Sequence, residues 1–165
     1  MTLLNRFKDA QDGAGGGVSF EEALGEIQSG GKQSHWIWYV FPQIAGLGSS
    51  GYAVRYAIAD VDEAIEYLRD ETLRTRLLTI TRAVAEQIRP PRSTPLTRVM
   101  GSRIDAQKLV SSLTLFGRVA EDANDAEAAE LASLAREVLA IADTQGFPPC
   151  QHTLAALTRY GRRSR

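Results

Sequence analysis

Ser34-His35-Trp36-Ile37-Trp38-Tyr39-Val40-Phe41-Pro42-Gln43 is the stretch whose conformation decides the fold. It holds both tryptophans of the chain and one of its two histidines. Glycines flank it on both sides, Gly30-Gly31 before it and Gly46-Leu47-Gly48 after it. Two conformations compete. Ser34 can cap a short helix that runs to Phe41 and stops at Pro42. Trp, Ile, Tyr, Val and Phe also suit a buried strand, and the run is apolar on both faces. Periodicity cannot separate the two over so short a run. The helical patterns around it favour the helix.

Those patterns extend in both directions. Upstream, Leu3 to Gln11 reads as a short helix, broken by the flexible loop Asp12-Gly13-Ala14-Gly15-Gly16-Gly17. Ser19-Phe20-Glu21-Glu22 is a capping box opening a helix that Gly30-Gly31 stops. Downstream, Ala45 to Gly51 is a glycine-rich loop, and Tyr52 to Ala59 reads as a short helix. Asp60 repeats the capping signal ahead of Val61, Ala64, Ile65 and Leu68. Leu73, Leu77, Ile80, Val84 and Ile88 recur at three-to-four spacing, which predicts a long helix over 72–88. Arg89-Pro90-Pro91-Arg92-Ser93 breaks the chain. A short helix follows Thr94-Pro95, a longer one spans 104–119, and an Ala-rich one runs from Asn124 or Asp125 to about Thr144. A last helix covers roughly Cys150 to Tyr160. No strand pair is convincing. The expectation is all-α: a compact single-domain bundle of about eight helices, several of them short. Residues 1–165 form one domain, with an ordered core over 3–160 and a solvated tail over 161–165.

Composition narrows the function classes. The chain has 165 residues, 44% hydrophobic and 24% charged, which suits one soluble domain with a real core. A formal net charge of -1 offers no global field for nucleic acid or an anionic membrane. The only marked basic cluster is Arg159, Arg162, Arg163 and Arg165 at the end of the chain. No apolar run approaches the ~18–20 residues of a membrane helix. Met1 to Arg6 lacks the order of a signal peptide. The single cysteine, Cys150, has no intrachain partner, and this fits a reducing cytoplasm, the expected location.

Four groups of residues together carry a family resemblance. They are Arg6-Phe7-Lys8-Asp9-Ala10-Gln11; Gly31-Lys32-Gln33-Ser34-His35-Trp36-Ile37-Trp38 with Phe41-Pro42-Gln43; Gly46-Leu47-Gly48-Ser49; and Asp105 to Phe116. With these motifs the chain resembles the domain of unknown function 1810 family from about Leu4 to Leu157. The resemblance implies a small, mainly helical bacterial cytoplasmic protein, and it carries no established activity. The Gly13–Gly17 loop reads as longer than the family pattern, and Arg89–Thr94 as richer in Pro and Arg.

The chemistry-bearing residues fall into three sets. His35 opens the apolar stretch, where it is either a structural histidine bonded to a backbone carbonyl or an acid/base group, since imidazole exchanges protons near neutral pH. Trp36 and Trp38 are core fillers or, in one case, a stacking platform for a ring or cation. On a helix the two diverge; on a strand they share a face. Gln43 ends the stretch and can turn its amide toward a pocket. The second set is Asp105, Lys108, Ser111, Ser112 and Thr114. On a helix, Asp105, Lys108 and Ser112 share a face. They form either a local ion pair with a self-bonded hydroxyl or a polar site in which Lys108 holds an anion. Asp9 and Gln11 are a weaker third set. No paired-cysteine or His-x-x-x-His pattern suggests a metal site, and no cofactor motif is visible. Cys150 and His152, as i, i+2 neighbours on a helix start, would diverge, which argues against a nucleophile and base pair.

The function expected from these residues is binding of a small polar or anionic organic ligand. Its pocket would be built from the His-Trp-x-Trp stretch and the Asp-x-x-Lys-x-x-Ser-Ser helix. His35, Asp105 and Lys108 would supply acid/base, hydrolytic chemistry. Asp9, Gln11, Trp36, Trp38, Gln43, Ser111 and Ser112 would contact the ligand. The other reading is a non-catalytic protein-interaction module. Neither nucleic acid nor membrane is an expected partner.

Overall fold

The computed structural model describes residues 3–165, and over them the chain is all-α. Ten α-helices follow in order: α1 Asn5–Gln11, α2 Phe20–Gln28, α3 Ile37–Val40, α4 Gly51–Arg55, α5 Val61–Arg69, α6 Glu71–Ile88, α7 Leu96–Val99, α8 Arg103–Glu121, α9 Ala126–Thr144 and α10 Gln151–Arg163. A 3₁₀ turn, Ala14–Gly16, sits inside the first glycine loop. Each of the ten matches a segment read as helical from the sequence, and α3, α4 and α7 are little more than single turns. The last helix reaches Arg163, three residues into the stretch expected to be tail.

Caps set most boundaries. The Ser19–Glu22 capping box opens α2. Asp60, Asp70, Ser102 and Asp125 each accept a backbone N–H at the start of α5, α6, α8 and α9. Each such cap is worth about 1 kcal/mol.

Two expected helices are shorter than their patterns predict. The Ser34–Phe41 helix begins only at Ile37, because the Ser34 side chain does not cap it. The Ser34 hydroxyl and amide are both held by Glu26, and Trp36 stays outside helical geometry at φ −144°, ψ 1°. The Tyr52–Ala59 helix ends at Arg55, because Ile58 is drawn into a parallel bridge with Ile44. That bridge is the one backbone pairing of β type among the described residues. In it the Ile58 amide donates to the Gln43 carbonyl at 2.9 Å, and the Ala45 amide donates to the Ile58 carbonyl at 2.8 Å.

The core gathers around α8, whose residues from Ala106 to Ala120 are almost all buried. It packs against α9, α5, α10, α3 and α7, while α6 lies between α9 and α2. Gly117 is what lets α8 and α9 approach. A Cβ there would lie 2.8 Å from the Ala135 Cβ. Alanine is the better helix former by about 1 kcal/mol, but neither helix backbone can yield without disturbing the core. Gly117→Ala is therefore expected to destabilise by about 1–2 kcal/mol. Adding Ala135→Gly should recover part of that loss. Urea unfolding of the two single variants and the double variant measures the coupling; additive effects would rule out this contact as the cause.

Candidate functional site

One carboxylate positions the aromatic stretch. Glu26, near the end of α2, accepts from the Gln33 amide at 2.7 Å and the Ser34 amide at 2.9 Å. It also accepts from the Ser34 hydroxyl at 2.6 Å and the Trp36 indole N–H at 2.9 Å. Burial alone would raise the Glu26 pKa. The four donors outweigh burial and hold it at about 2. The non-helical entry into α3 is fixed by this clasp. Behind it, Lys32 is nearly sealed from solvent, paired with Asp105 at 2.7 Å and lying 5.2 Å from the Trp36 ring centroid.

The far side of α3 is braced by Gln11. Its amide, only 2% exposed, donates to the Tyr39 carbonyl at 2.8 Å and reaches the Tyr67 hydroxyl at 3.3 Å. Tyr39 in turn donates its hydroxyl to the Val18 carbonyl at 2.6 Å, which ties the glycine loop to α3. Burial pushes the Tyr39 phenol up to about 12, so it stays a hydrogen-bond donor at any ordinary pH.

These braces frame a pocket of about 490 Å³. Trp38 and Tyr39 of α3 form one wall, and Tyr52 and Arg55 of α4, with Tyr56, form another. His35 stands at the edge, and Ala10, Ala14, Gly15 and Gly17 complete the rim. Trp38 and Tyr52 are stacked, with ring centroids 4.8 Å apart and planes 21° apart. The Trp38 indole N–H is shielded from solvent and donates to nothing among the described residues. The Arg55 guanidinium lies 5.4 Å from the Tyr56 ring centroid and makes no ion pair among the described residues. The pocket thus offers flat aromatic surface, a titratable imidazole and one uncommitted cation.

Not all of the expected site residues meet there. His35, exposed, and Trp38, half-buried, line the pocket. Lys108 and Gln43 meet Trp38 in a narrow adjoining cleft with Ile37, Phe41, Ala53 and Tyr56. There the Lys108 ammonium lies 5.1 Å from the Trp38 ring centroid. Asp105 is committed to Lys32 and only 3.9 Å from Lys108, so it belongs to a structural pair beside the cleft. Trp36 is fully buried and Gln11 is a core brace, so neither reaches a ligand surface. Ser112 is fully buried, with a hydroxyl that has no partner among the described residues. Ser111 bonds the Gln107 carbonyl and lines a different cavity of about 300 Å³ beside Cys150. Asp9 is exposed and lines none of these cavities. The divergence has two causes: Ser112 shares the face of Asp105 and Lys108 but lies a turn further on, fully buried, whereas Ser111 has turned toward the cavity beside Cys150.

Sequence reading missed Tyr39, Tyr52, Arg55 and Tyr56. The available signal was Tyr52 and Tyr56 at i, i+4 beside an arginine, on a segment between glycine loops. Cys150 and His152 do diverge. The His152 Nε2 meets the Ala45 carbonyl at 2.9 Å, while the Cys150 thiol turns to its own cavity. Burial opposes ionisation of that thiol, yet the polar groups around it, the hydroxyls of Thr153 and Ser111 and the backbone amides of Thr153 and His152, lower its pKa. Among the described residues, no three His, Cys, Asp or Glu side chains gather as metal ligands do, and no helix is long and apolar enough to cross a membrane.

Comparison with known proteins agrees with the fold. No curated protein matches the chain significantly. The crystal structure at 1.38 Å of the conserved hypothetical protein Rv1873 from Mycobacterium tuberculosis is similar, with a TM-score of 0.70 and 31% sequence identity. The likeness covers 92% of this chain and 94% of that one. A family model described as "Protein of unknown function (DUF1810)" matches residues 1–136, ending within α9 and leaving α10 outside the match. By that match the chain belongs to the DUF1810 family of proteins of unknown function.

Proposed function

We propose that the pocket between α3 and α4 binds a small planar organic anion. The observation that supports this most is the company Arg55 keeps: a guanidinium without an ion pair, beside three tyrosines and a tryptophan, at a cavity of about 490 Å³. Ligand pockets are concave, mostly apolar, about 300–1,000 Å³ in size, and carry a few convergent polar groups. A ring gains stacking on the aromatic wall, and a carboxylate or phosphate gains a forked donor in arginine.

Acid/base chemistry on the bound ligand falls to His35. Asp105 is neutralised by Lys32, and Lys108 lies over Trp38 in the adjoining cleft. A hydrolytic step here therefore rests on one imidazole moving a proton to or from water or the leaving group. The non-catalytic interaction module draws on the exposed Tyr52 and Val54 of α4, at 57% and 65% exposure. A helix this short gives such a partner little area.

The test is a thermal-shift screen of purified protein against metabolites, including aromatic acids and nucleotides. A ligand at a hundred times its Kd adds about 2.7 kcal/mol of stability. The proposal expects a hit that Arg55→Ala abolishes and Asp9→Ala leaves intact. A hit equally strong in Arg55→Ala would place the site elsewhere. No hit from a cooperatively folded sample would move the weight to the interaction module.

A further inference from the structure

We infer that the ligand is a nucleoside monophosphate whose base inserts between Trp38 and Tyr52 and whose phosphate is held by Arg55. This rests on the pocket proposed above and names what fills it.

The argument begins with the chain that carries Tyr52. Residues 45–57 leave and re-enter the body at one point, the Ile44–Ile58 bridge, and so form a closed surface loop. Both ends are clamped. At the start, His152 holds the Ala45 carbonyl and packs so closely on Gly46 that a Cβ there would lie 2.9 Å from its Nε2. At the end, Arg6 donates to the Arg55 carbonyl at 3.0 Å and the Ala57 carbonyl at 2.7 Å, and it is itself fixed by Glu63 at 2.6 Å. Between the clamps Leu47 and Tyr56 pack on the body of the protein, whereas the arc 48–55 buries no residue. A Cβ on Gly48 would lie 2.7 Å from the Ala53 Cβ, and α4 buries none of its residues.

The consequence is an asymmetric site. Arg55 sits at a clamped end, and its backbone position is set. Tyr52 sits on the free arc, held against Trp38 chiefly by the stack itself. A flat ring entering from the pocket exchanges that one stack for two, one on each of its faces. The slot accepts any planar heterocycle, because stacking needs a π face and no particular hydrogen-bond pattern.

The remaining lining argues for what the ring carries. One guanidinium suits one phosphate, bound by forked N–H donors. No lysine lines the pocket, so a second or third phosphate would bring charge that nothing there offsets. The opposite rim is peptide: Ala14, Gly15 and Gly17 line it, and nothing lies within 4 Å of where a Gly15 Cβ would be. A sugar and phosphate can thus approach main chain without a side chain between them. His35, at the same edge, is placed to meet a sugar hydroxyl.

The test is a fluorescence titration of the full chain, read with calorimetry. The probes are AMP and UMP, adenosine and uridine, inorganic phosphate, ATP, and indole-3-acetate as a planar anion without sugar or phosphate. AMP and UMP should change Trp38 emission, and Trp38→Phe should abolish that change because Trp36 is buried. The nucleosides and Arg55→Ala should each lose about tenfold or more in affinity. Tyr52→Ala should lose about three- to tenfold and Tyr52→Phe little. Both Tyr52 and Arg55 are exposed, so unchanged melting of these variants can be verified alongside. Tighter binding in Tyr52→Ala would overturn insertion, since Tyr52 would then be a mere obstruction. ATP binding as well as AMP would overturn the single-phosphate assignment. Binding of indole-3-acetate but no nucleotide would sink this inference and leave the planar-anion pocket standing. Silence from every probe, with Arg55→Ala indistinguishable from the parent chain, would count against both.

Discussion

Trp36→Ala is expected to cost about 3–5 kcal/mol of folding stability. Trp38→Ala, two residues on, is expected to cost about 1–2 kcal/mol, chiefly a lost stack. The side chains are the same and the contrast comes from placement. Trp36 is fully buried, against Phe41 at 6.4 Å between ring centroids, and donates its N–H to Glu26. Deleting its ring leaves a hole between α2, α3 and α8 and removes one of the donors that hold Glu26 ionised. It also uncovers Lys32, whose ammonium lies 5.2 Å from that ring and pairs with Asp105. A domain of this size has about 5–15 kcal/mol in total, so Trp36→Ala should unfold at much lower urea. Trp38 stands at the pocket wall, half-buried, and its neighbours can close around the loss. Urea unfolding of both variants decides the matter. Equal costs would mean that Trp36 is not the anchor of the stretch.

The second large effect is acid sensitivity at Glu26. Glu26→Gln is expected to cost about 2–3 kcal/mol at pH 7, the scale of a hydrogen-bonded charge replaced by a neutral group. The pH dependence has a definite sign. The fold holds the Glu26 pKa at about 2, below its ordinary 4.5, so the folded state favours the carboxylate. Its contribution is fully present above the unfolded value and declines as pH falls from about 4.5 through about 2. The stability gap between parent and Glu26→Gln should therefore shrink across that window and close near its bottom. Asp70 is lowered as well: burial opposes it, and the Lys8 ion pair and the Leu73 amide prevail. The parent's overall acid loss is thus steeper than Glu26 alone produces, which is why the difference between the two proteins is the quantity to follow. A gap constant from pH 5 to pH 2 would mean that charge at Glu26 contributes nothing. Loss of the clasp also frees the segment leading to His35, so affinity for the proposed ligand should fall with it.

The helices themselves were legible because their signals are local. The Ser19–Glu22 box, the Asp60 cap and the three-to-four spacing of Leu73, Leu77, Ile80 and Val84 all lie within a turn or two of what they specify. The all-α class followed from them, and the family resemblance was legible separately, since its motifs are contiguous residues. The short elements were misjudged where a distant residue intervened. Glu26 captured Ser34 before it could cap α3, and Ile44 captured Ile58 before α4 could continue.

The candidate site was legible only in part for the same reason. His35 and Trp38 announced themselves by composition. Arg55 did not, because an arginine on a surface turn reads as a solvated charge until its neighbours are known. Asp105 and Lys108 looked like half of a site, and Lys32, from seventy-odd residues upstream, made Asp105 part of the frame. Sequence alone determined the helical class and the amphipathic faces, because hydrogen bonding and periodicity act over a few residues. Tertiary structure alone decided which tryptophan is core and which is wall, which charges are already paired, and which tyrosines share a cavity. Those are matters of burial and through-space distance, set by contacts between residues far apart in the chain.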